Sequence, residues 1–141
     1  MRLLTNGEVL GANVTVPYKE AVIPYLDTIS DLARRVAAVN TLVNRNGVLH
    51  GYNTDVAGFM RAMEDGGKFN PAGKRALIIG AGGASKAVAL ALLDANIASL
   101  TVANRTLSRA EALVESLPGD MNANARPLTE ATLATSGGWD L

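Results

Sequence analysis

The sequence predicts an α/β protein: an incomplete α/β domain followed by an incomplete, doubly wound parallel sheet. Three observations carry this expectation. Two β-rich runs flank Asn46-Gly47, a strong two-residue hairpin signal. From Arg75 onward the texture changes to alternating strand and helix. Between these regions, Phe69-Asn70-Pro71-Ala72-Gly73 reads as a connector. The expected division is residues 1–54, a connecting helix and linker over 55–70, and the parallel-sheet domain over 71–141.

In the first part, the β-branched run Asn13-Val14-Thr15-Val16 predicts a strand. Pro17 suits the first turn of a helix, expected from Tyr18 to about Leu26 and shortened or kinked by Pro24. A second helix is expected from Ser30, as N-cap, to Ala37, with Leu32 and Val36 on one face. Thr41-Leu42-Val43 and Val48-Leu49-His50 form the arms of the hairpin. Asp55 suits the cap of a helix in which Phe59, Ala62 and Met63 share a face, ending at Gly66-Gly67.

In the second part, Ala76-Leu77-Ile78-Ile79 is the apolar run expected of a parallel strand buried on both faces. A helix follows from about Ala84 to Ala95, with Val88, Ala91, Leu92 and Ala95 at core spacing. Leu100-Thr101-Val102-Ala103 is the next strand, and a helix spans roughly Ser108 to Leu117. Thr129 caps a short helix towards Ala134, and Gly137-Gly138-Trp139-Asp140-Leu141 reads as a loop entering another strand.

Bulk composition excludes several function classes. With 48% hydrophobic residues, a packed core is within reach and wholesale disorder is not expected. The 13 basic and 13 acidic side chains cancel, so neither a nucleic acid nor a membrane surface is expected as partner. The absence of cysteine removes disulfides, thiol catalysis and cysteine-bound zinc, and fits a reducing compartment. The lone His50 builds neither a metal site nor a catalytic triad, so no metal is expected, and neither His50 nor Tyr18 is assigned a catalytic role. No apolar run approaches the roughly 18 residues of a membrane span, and Met1-Arg2-Leu3-Leu4 lacks the apolar stretch of a signal peptide. A soluble, cytoplasmic protein is the expectation, and a homodimer stays open.

The chemistry-bearing segment is Gly80-Ala81-Gly82-Gly83-Ala84-Ser85, between a strand and a helix. In that context it resembles a Rossmann-type dinucleotide loop. Gly80 permits the tight turn, Gly82 lets a pyrophosphate approach the backbone, and the helix N-terminus supplies N–H donors. Ser85 stands where the pattern prefers Gly or Ala, a mild departure. After the second strand, an NAD site would carry a carboxylate for the ribose hydroxyls. Here Asn104-Arg105-Thr106 and Arg109 stand instead, and two arginines suit the 2′-phosphate of NADP. Arg109 alone could equally pair with Glu111 or Glu115 at the surface. Taken singly, Lys19 reads as a solvated helix lysine, and Asn40 and Asn53 as turn residues.

Asn13-Val14-Thr15-Val16-Pro17-Tyr18-Lys19-Glu20, Ala38-Val39-Asn40-Thr41, Gly51-Tyr52-Asn53-Thr54-Asp55 with Gly58-Phe59, the glycine loop and Asn104-Arg105-Thr106 occur in one order along the chain. That series resembles the shikimate dehydrogenases. The resemblance implies reduction of 3-dehydroshikimate to shikimate with NADPH, in aromatic amino-acid biosynthesis. It makes Lys19 and Asp55 the catalytic pair, with Thr15, Asn40, Asn53 and Thr54 at the substrate and residues 80–85, Asn104, Arg105, Thr106 and Arg109 at NADP. Members of that family start earlier, with a strand and a serine motif for the substrate carboxylate, and continue past Leu141. The chain is therefore expected to be a fragment, catalytically incompetent and poorly stable alone. A quinate/shikimate dehydrogenase of broader range and a non-catalytic nucleotide-binding module are the rival expectations.

Overall fold

Asn46 and Gly47 both adopt positive φ (55° and 88°), the backbone that a two-residue hairpin needs to match strand twist. They join β3 (Thr41–Arg45) to β4 (Val48–Tyr52), an antiparallel pair with Thr41 opposite Tyr52. The computed structural model describes residues 9–119, 122–134 and 138–141. Met1-Arg2-Leu3-Leu4 at the start, and Gly137 of the closing loop, lie outside the described residues. The chain divides into two compact units, Met1–Asp55 and Val56–Leu141.

In the first unit, β1 (Gly11–Asn13) pairs antiparallel with β3, and β2 (Thr28–Ile29) pairs parallel with β4, giving the order β1-β3-β4-β2. The expected strand over residues 13–16 is displaced: pairing ends at Asn13. The expected helix from Tyr18 to Leu26 is replaced by turns and a 3₁₀ segment, Ile23–Tyr25. Two backbone facts explain this. The Lys19 carbonyl, which a helix would offer to Ile23, accepts from Val39 N–H at 2.8 Å, and Ile23 N–H turns back to Glu20 (3.2 Å). Pro24 has no N–H with which to continue a helix.

Helix α1 (Asp31–Val36) forms as expected, with Ser30 accepting from Ala33 N–H at 3.2 Å and Ala37 closing it in the left-handed region. It inserts Ala33 beside Val39 and Leu42, around which Val14, Val22, Leu26 and Ile29 pack. Helix α2 (Asp55–Arg61) begins at the last residue of this unit and runs on through a π-helical turn, Ala62–Gly67. Val56 and Met63 are its buried residues; Ala62, expected on the same face, is exposed.

The second unit is built on a parallel sheet of β5 (Arg75–Ile79), β6 (Ser99–Asn104) and β7 (Ala123–Pro127), in the order β5-β6-β7. Helices α3 (Gly83–Asp94) and α4 (Leu107–Glu115) follow β5 and β6, and the short α5 (Glu130–Leu133) follows β7, capped by Thr129. Leu92, Leu100, Val102 and Ala110 form its core with Met63, Ala76 and Ile78. Each fully buried leucine or valine side chain here contributes about 1.5–3 kcal/mol. β5 alternates, however: Ala76 and Ile78 are buried whereas Ile79 is 60% exposed, so the expected burial on both faces does not hold.

At the far edge of β5, Leu141 N–H donates to Arg75 O (3.3 Å) and Leu77 N–H donates to Leu141 O (2.9 Å), the bonds of a parallel ladder. Asp140 accepts from Arg75 N–H at 2.8 Å. That bond, aided by the charges of Arg75 and Lys74, holds its carboxyl below its ordinary pKa despite some desolvation. Asp140 and Leu141 thus lie on the side of β5 opposite β6. The glycine loop leaves the C-terminal end of β5, and beyond the carboxyl ends of the strands is where open α/β sheets bind ligands.

Candidate functional site

Sheet register assembles the polar cluster of the first unit. Asn13 lies opposite Thr41, and Thr41 opposite Tyr52, so the chain leaving β1, the residue entering β3 and the chain leaving β4 emerge at one end of the sheet. Backbone bonds fix the three segments: Val14 N–H to Asn40 O (2.8 Å), Asn40 N–H to Tyr52 O (3.0 Å) and Val39 N–H to Lys19 O (2.8 Å). Lys19, Asn40 and the adjacent Thr54 and Asp55, three segments far apart in sequence, become neighbours.

Lys19 Nζ donates to Asp55 Oδ2 at 2.8 Å, with side chains only 16% and 31% exposed. Asn40 Nδ2 donates to the other oxygen, Asp55 Oδ1, at 2.7 Å. The carboxylate therefore has a fixed orientation, one oxygen for the ammonium and one for the amide. Such charge-assisted bonds are roughly twice as strong as neutral ones. The arrangement presents a positioned ammonium beside a carboxylate at a half-open sheet edge. That pairing can deliver or accept a proton at a substrate oxygen.

The remaining expected substrate residues divide by environment. Thr15 and Thr54 are exposed beside the cluster. Asn53 is buried, and its carboxamide is engaged by backbone: Nδ2 donates to Ala38 O (3.0 Å) and Oδ1 accepts from Asp55 N–H (3.0 Å). It thus shapes the turn into α2 and aims Asp55. Asp55 itself, expected as a helix cap, is instead the first residue of α2, with its carboxylate turned to Lys19 and Asn40. His50 Nδ1 lies 2.6 Å from Thr28 Oγ1.

In the second unit, Gly80 takes φ +109°, a conformation that strains any residue with a Cβ, and its N–H bonds Ala103 O at 2.8 Å. Gly82 precedes α3, and a Cβ placed there would meet no atom within 4 Å. Open space over the N-terminus of a 12-residue helix fits an approaching pyrophosphate. Ser85, the departure from the glycine pattern, accepts from Gly82 N–H through Oγ at 3.4 Å, so it braces the loop. Ala81 completes that loop, and Gly83 and Ala84 form the first turn of α3.

At the end of β6, Asn104 Nδ2 donates to Thr106 O (2.8 Å), turning the chain into α4. Arg105, Thr106 and Arg109 are exposed at this turn. Among the described residues neither arginine pairs with a carboxylate, so the alternative of Arg109 held by Glu111 or Glu115 is not realised. Two guanidinium groups with no internal carboxylate to hold them, side by side on one exposed turn, fit a phosphate dianion.

Sequence reasoning missed the strands β2 and β7 and one hydrogen bond of the site. β7 carries Asn124, Arg126 and Pro127, residues that signal no strand. Thr41 donates its hydroxyl to Asn40 Oδ1 at 2.9 Å, and a threonine opening a strand gives no hint of that.

Comparison with known proteins follows the same segments. Residues 1–42 match the family model "Shikimate dehydrogenase substrate binding domain", and residues 64–136 match "Shikimate / quinate 5-dehydrogenase". A shikimate dehydrogenase (NADP(+)) of Moorella thermoacetica is 59% identical over 109 residues, 77% of this chain and 37% of that protein. The shikimate 5-dehydrogenase of Thermus thermophilus, solved with NADP(H) and shikimate, superposes with a TM-score of 0.77 at 41% identity, over 90% of this chain and 47% of that one. Quinate dehydrogenase of Corynebacterium glutamicum, solved with NAD, gives 0.81 at 37% identity, over 92% and 48%. The chain spans less than half the length of these relatives. Its two matched regions, in this order and with this fold, show that the chain belongs to the shikimate/quinate 5-dehydrogenase family.

Proposed function

We propose that, in a full-length context, this chain supplies the proton-transfer pair and the phosphate-binding residues of an NADP-dependent shikimate dehydrogenase, which interconverts 3-dehydroshikimate and shikimate. The observation that carries the reading is the Lys19–Asp55 pair at 2.8 Å, braced by Asn40. When bound, NADPH supplies a hydride equivalent to the ketone carbon. Negative charge then develops on the ketone oxygen, and Lys19 Nζ stabilises it and hands over a proton. Asp55 keeps the ammonium aimed and accepts a hydrogen bond from the neighbouring substrate hydroxyl. Thr15, Thr54 and Asn40 contribute polar atoms to the substrate, while Asn53 acts from behind through the turn. Residues 80–85 cradle the pyrophosphate; Asn104 shapes the turn that offers Arg105, Thr106 and Arg109 to the 2′-phosphate.

The likeness to a quinate dehydrogenase in complex with NAD supports a second reading, a broader polyol-acid range. The two arginines favour NADP in either case. The test is a hybrid enzyme in which this chain replaces the segment of the Moorella thermoacetica relative that it matches. Shikimate-dependent reduction of NADP, faster than with NAD and faster than with quinate, is the expected result. A hybrid that binds NADP yet shows no shikimate-dependent reduction would leave only the nucleotide-binding role.

A further inference from the structure

We propose that Thr41 is a positioning residue of this site: by donating to Asn40 Oδ1, its hydroxyl helps lock in place a carboxamide that Thr54 N–H and the Asp55 carboxylate orient with its NH₂ group towards Asp55. The inference rests on the proton-transfer reading above for its functional consequence, but the lock itself is a matter of hydrogen-bond geometry.

A carboxamide has two orientations of nearly equal shape, and its neighbours select between them. Around Asn40 they agree. Thr54 N–H, which can only donate, lies 3.0 Å from Oδ1. The Thr41 hydroxyl donates to the same oxygen at 2.9 Å. On the other side Nδ2 donates to Asp55 Oδ1 at 2.7 Å, whereas Thr54 Oγ1 lies within reach of both Nδ2 (3.0 Å) and Oδ1 (3.2 Å) and does not select between them. Turning the amide over would set its oxygen against a carboxylate and its NH₂ against Thr54 N–H. Asp55 would lose the donor on Oδ1, and with it the orientation that leaves Oδ2 to Lys19. Thr41 therefore acts on Lys19 through two intervening side chains.

The hydroxyl has no other hydrogen-bond partner among the described residues. Nor does the strand require it. Valine has the same shape and a high β propensity, and it would fill a place at the start of β3 equally well. A merely structural Thr41 thus predicts that Thr41→Val is silent.

Two measurements test the proposal. In the 141-residue chain, NMR follows solvent exchange of the Asn40 Nδ2 protons, assigned by their loss in Asn40→Asp. Thr41→Val should accelerate that exchange about two- to tenfold, the range set by one neutral hydrogen bond, and Thr41→Ser should restore it. Unchanged exchange in Thr41→Val would overturn the lock, and Thr41→Ala gives the same reading should valine disturb the sheet. In the hybrid enzyme, Thr41→Val should lower kcat by a similar about two- to tenfold factor with KM for shikimate unaltered, and Thr41→Ser should recover it. A rise in KM with kcat intact would make Thr41 a substrate contact and refute the positioning role. Absence of turnover in the unsubstituted hybrid would count against the proposed function, whereas the exchange result still decides the lock.

Discussion

Replacing Arg105 and Arg109 by glutamine, singly and together, should weaken NADP binding and leave NAD binding nearly untouched. A guanidinium–phosphate hydrogen bond contributes about 1.5–3 kcal/mol. Both side chains are exposed, so solvent screening argues for the lower end of that range. At about 1.4 kcal/mol per tenfold change in Kd, each substitution should cost roughly tenfold, and the pair up to about a hundredfold. The lack of competing carboxylates matters to this figure, because neither arginine must break an internal pair to reach the phosphate. Calorimetric titration of the chain with each dinucleotide measures both affinities, and the NADP advantage should shrink as salt is raised. Equal losses for NAD and NADP would refute the assignment, since NAD lacks the 2′-phosphate. So would an unchanged NADP affinity in the double variant.

Three further outcomes follow from the same geometry. Gly82→Val should leave thermal stability essentially intact, because its Cβ meets open space at an unstrained φ of −104°, yet weaken both dinucleotides at least about tenfold by titration. Gly51→Ala should behave oppositely. Its Cβ would stand 2.5 Å from Leu26 Cδ1 and 2.9 Å from Val39 Cγ2, so denaturant unfolding should show the overpacking cost of about 1–3 kcal/mol. Asp55→Asn should lower kcat of the hybrid by at least about tenfold, because whichever way the new amide turns, its NH₂ faces either Lys19 or the Asn40 amide. Full activity in that variant would dispose of the paired-carboxylate role.

The fold was legible wherever local chemistry and tertiary structure agreed. Asn46-Gly47 forced a hairpin because few other residues tolerate consecutive positive φ, and the strand–glycine–helix sequence around residues 75–94 had one sensible arrangement. Where tertiary bonds outvoted local preference, the sequence misled. Capture of the Lys19 carbonyl by Val39 prevented the helix expected at Tyr18, and β7 formed from poor strand residues because β6 offered it a parallel partner. Ile79 looked like core, yet at the edge strand it is 60% exposed, although Thr101 and Ala103 on the same face of β6 are buried.

The site was legible in a different manner. The cofactor loop and the arginines spoke through their own chemistry. Lys19, Asn40 and Asp55 did not, since each has an ordinary role when taken alone. They gained meaning through family resemblance, and their proximity came from the register Asn13–Thr41–Tyr52, which spacing along the chain does not reveal. Thr41 remained invisible for the same reason: its hydrogen bond depends on an amide orientation set by Thr54.

The central claim is that Lys19 performs chemistry that the dinucleotide site does not. Lys19→Met in the hybrid enzyme tests it most directly, with turnover of shikimate and NADP affinity measured on one preparation. Positioned proton transfer contributes about 10²–10⁴-fold, so kcat should fall by at least about a hundredfold while NADP binding stays within about twofold. A methionine variant that oxidises shikimate at close to the unsubstituted rate, or that loses NADP binding in proportion to its activity, would contradict it.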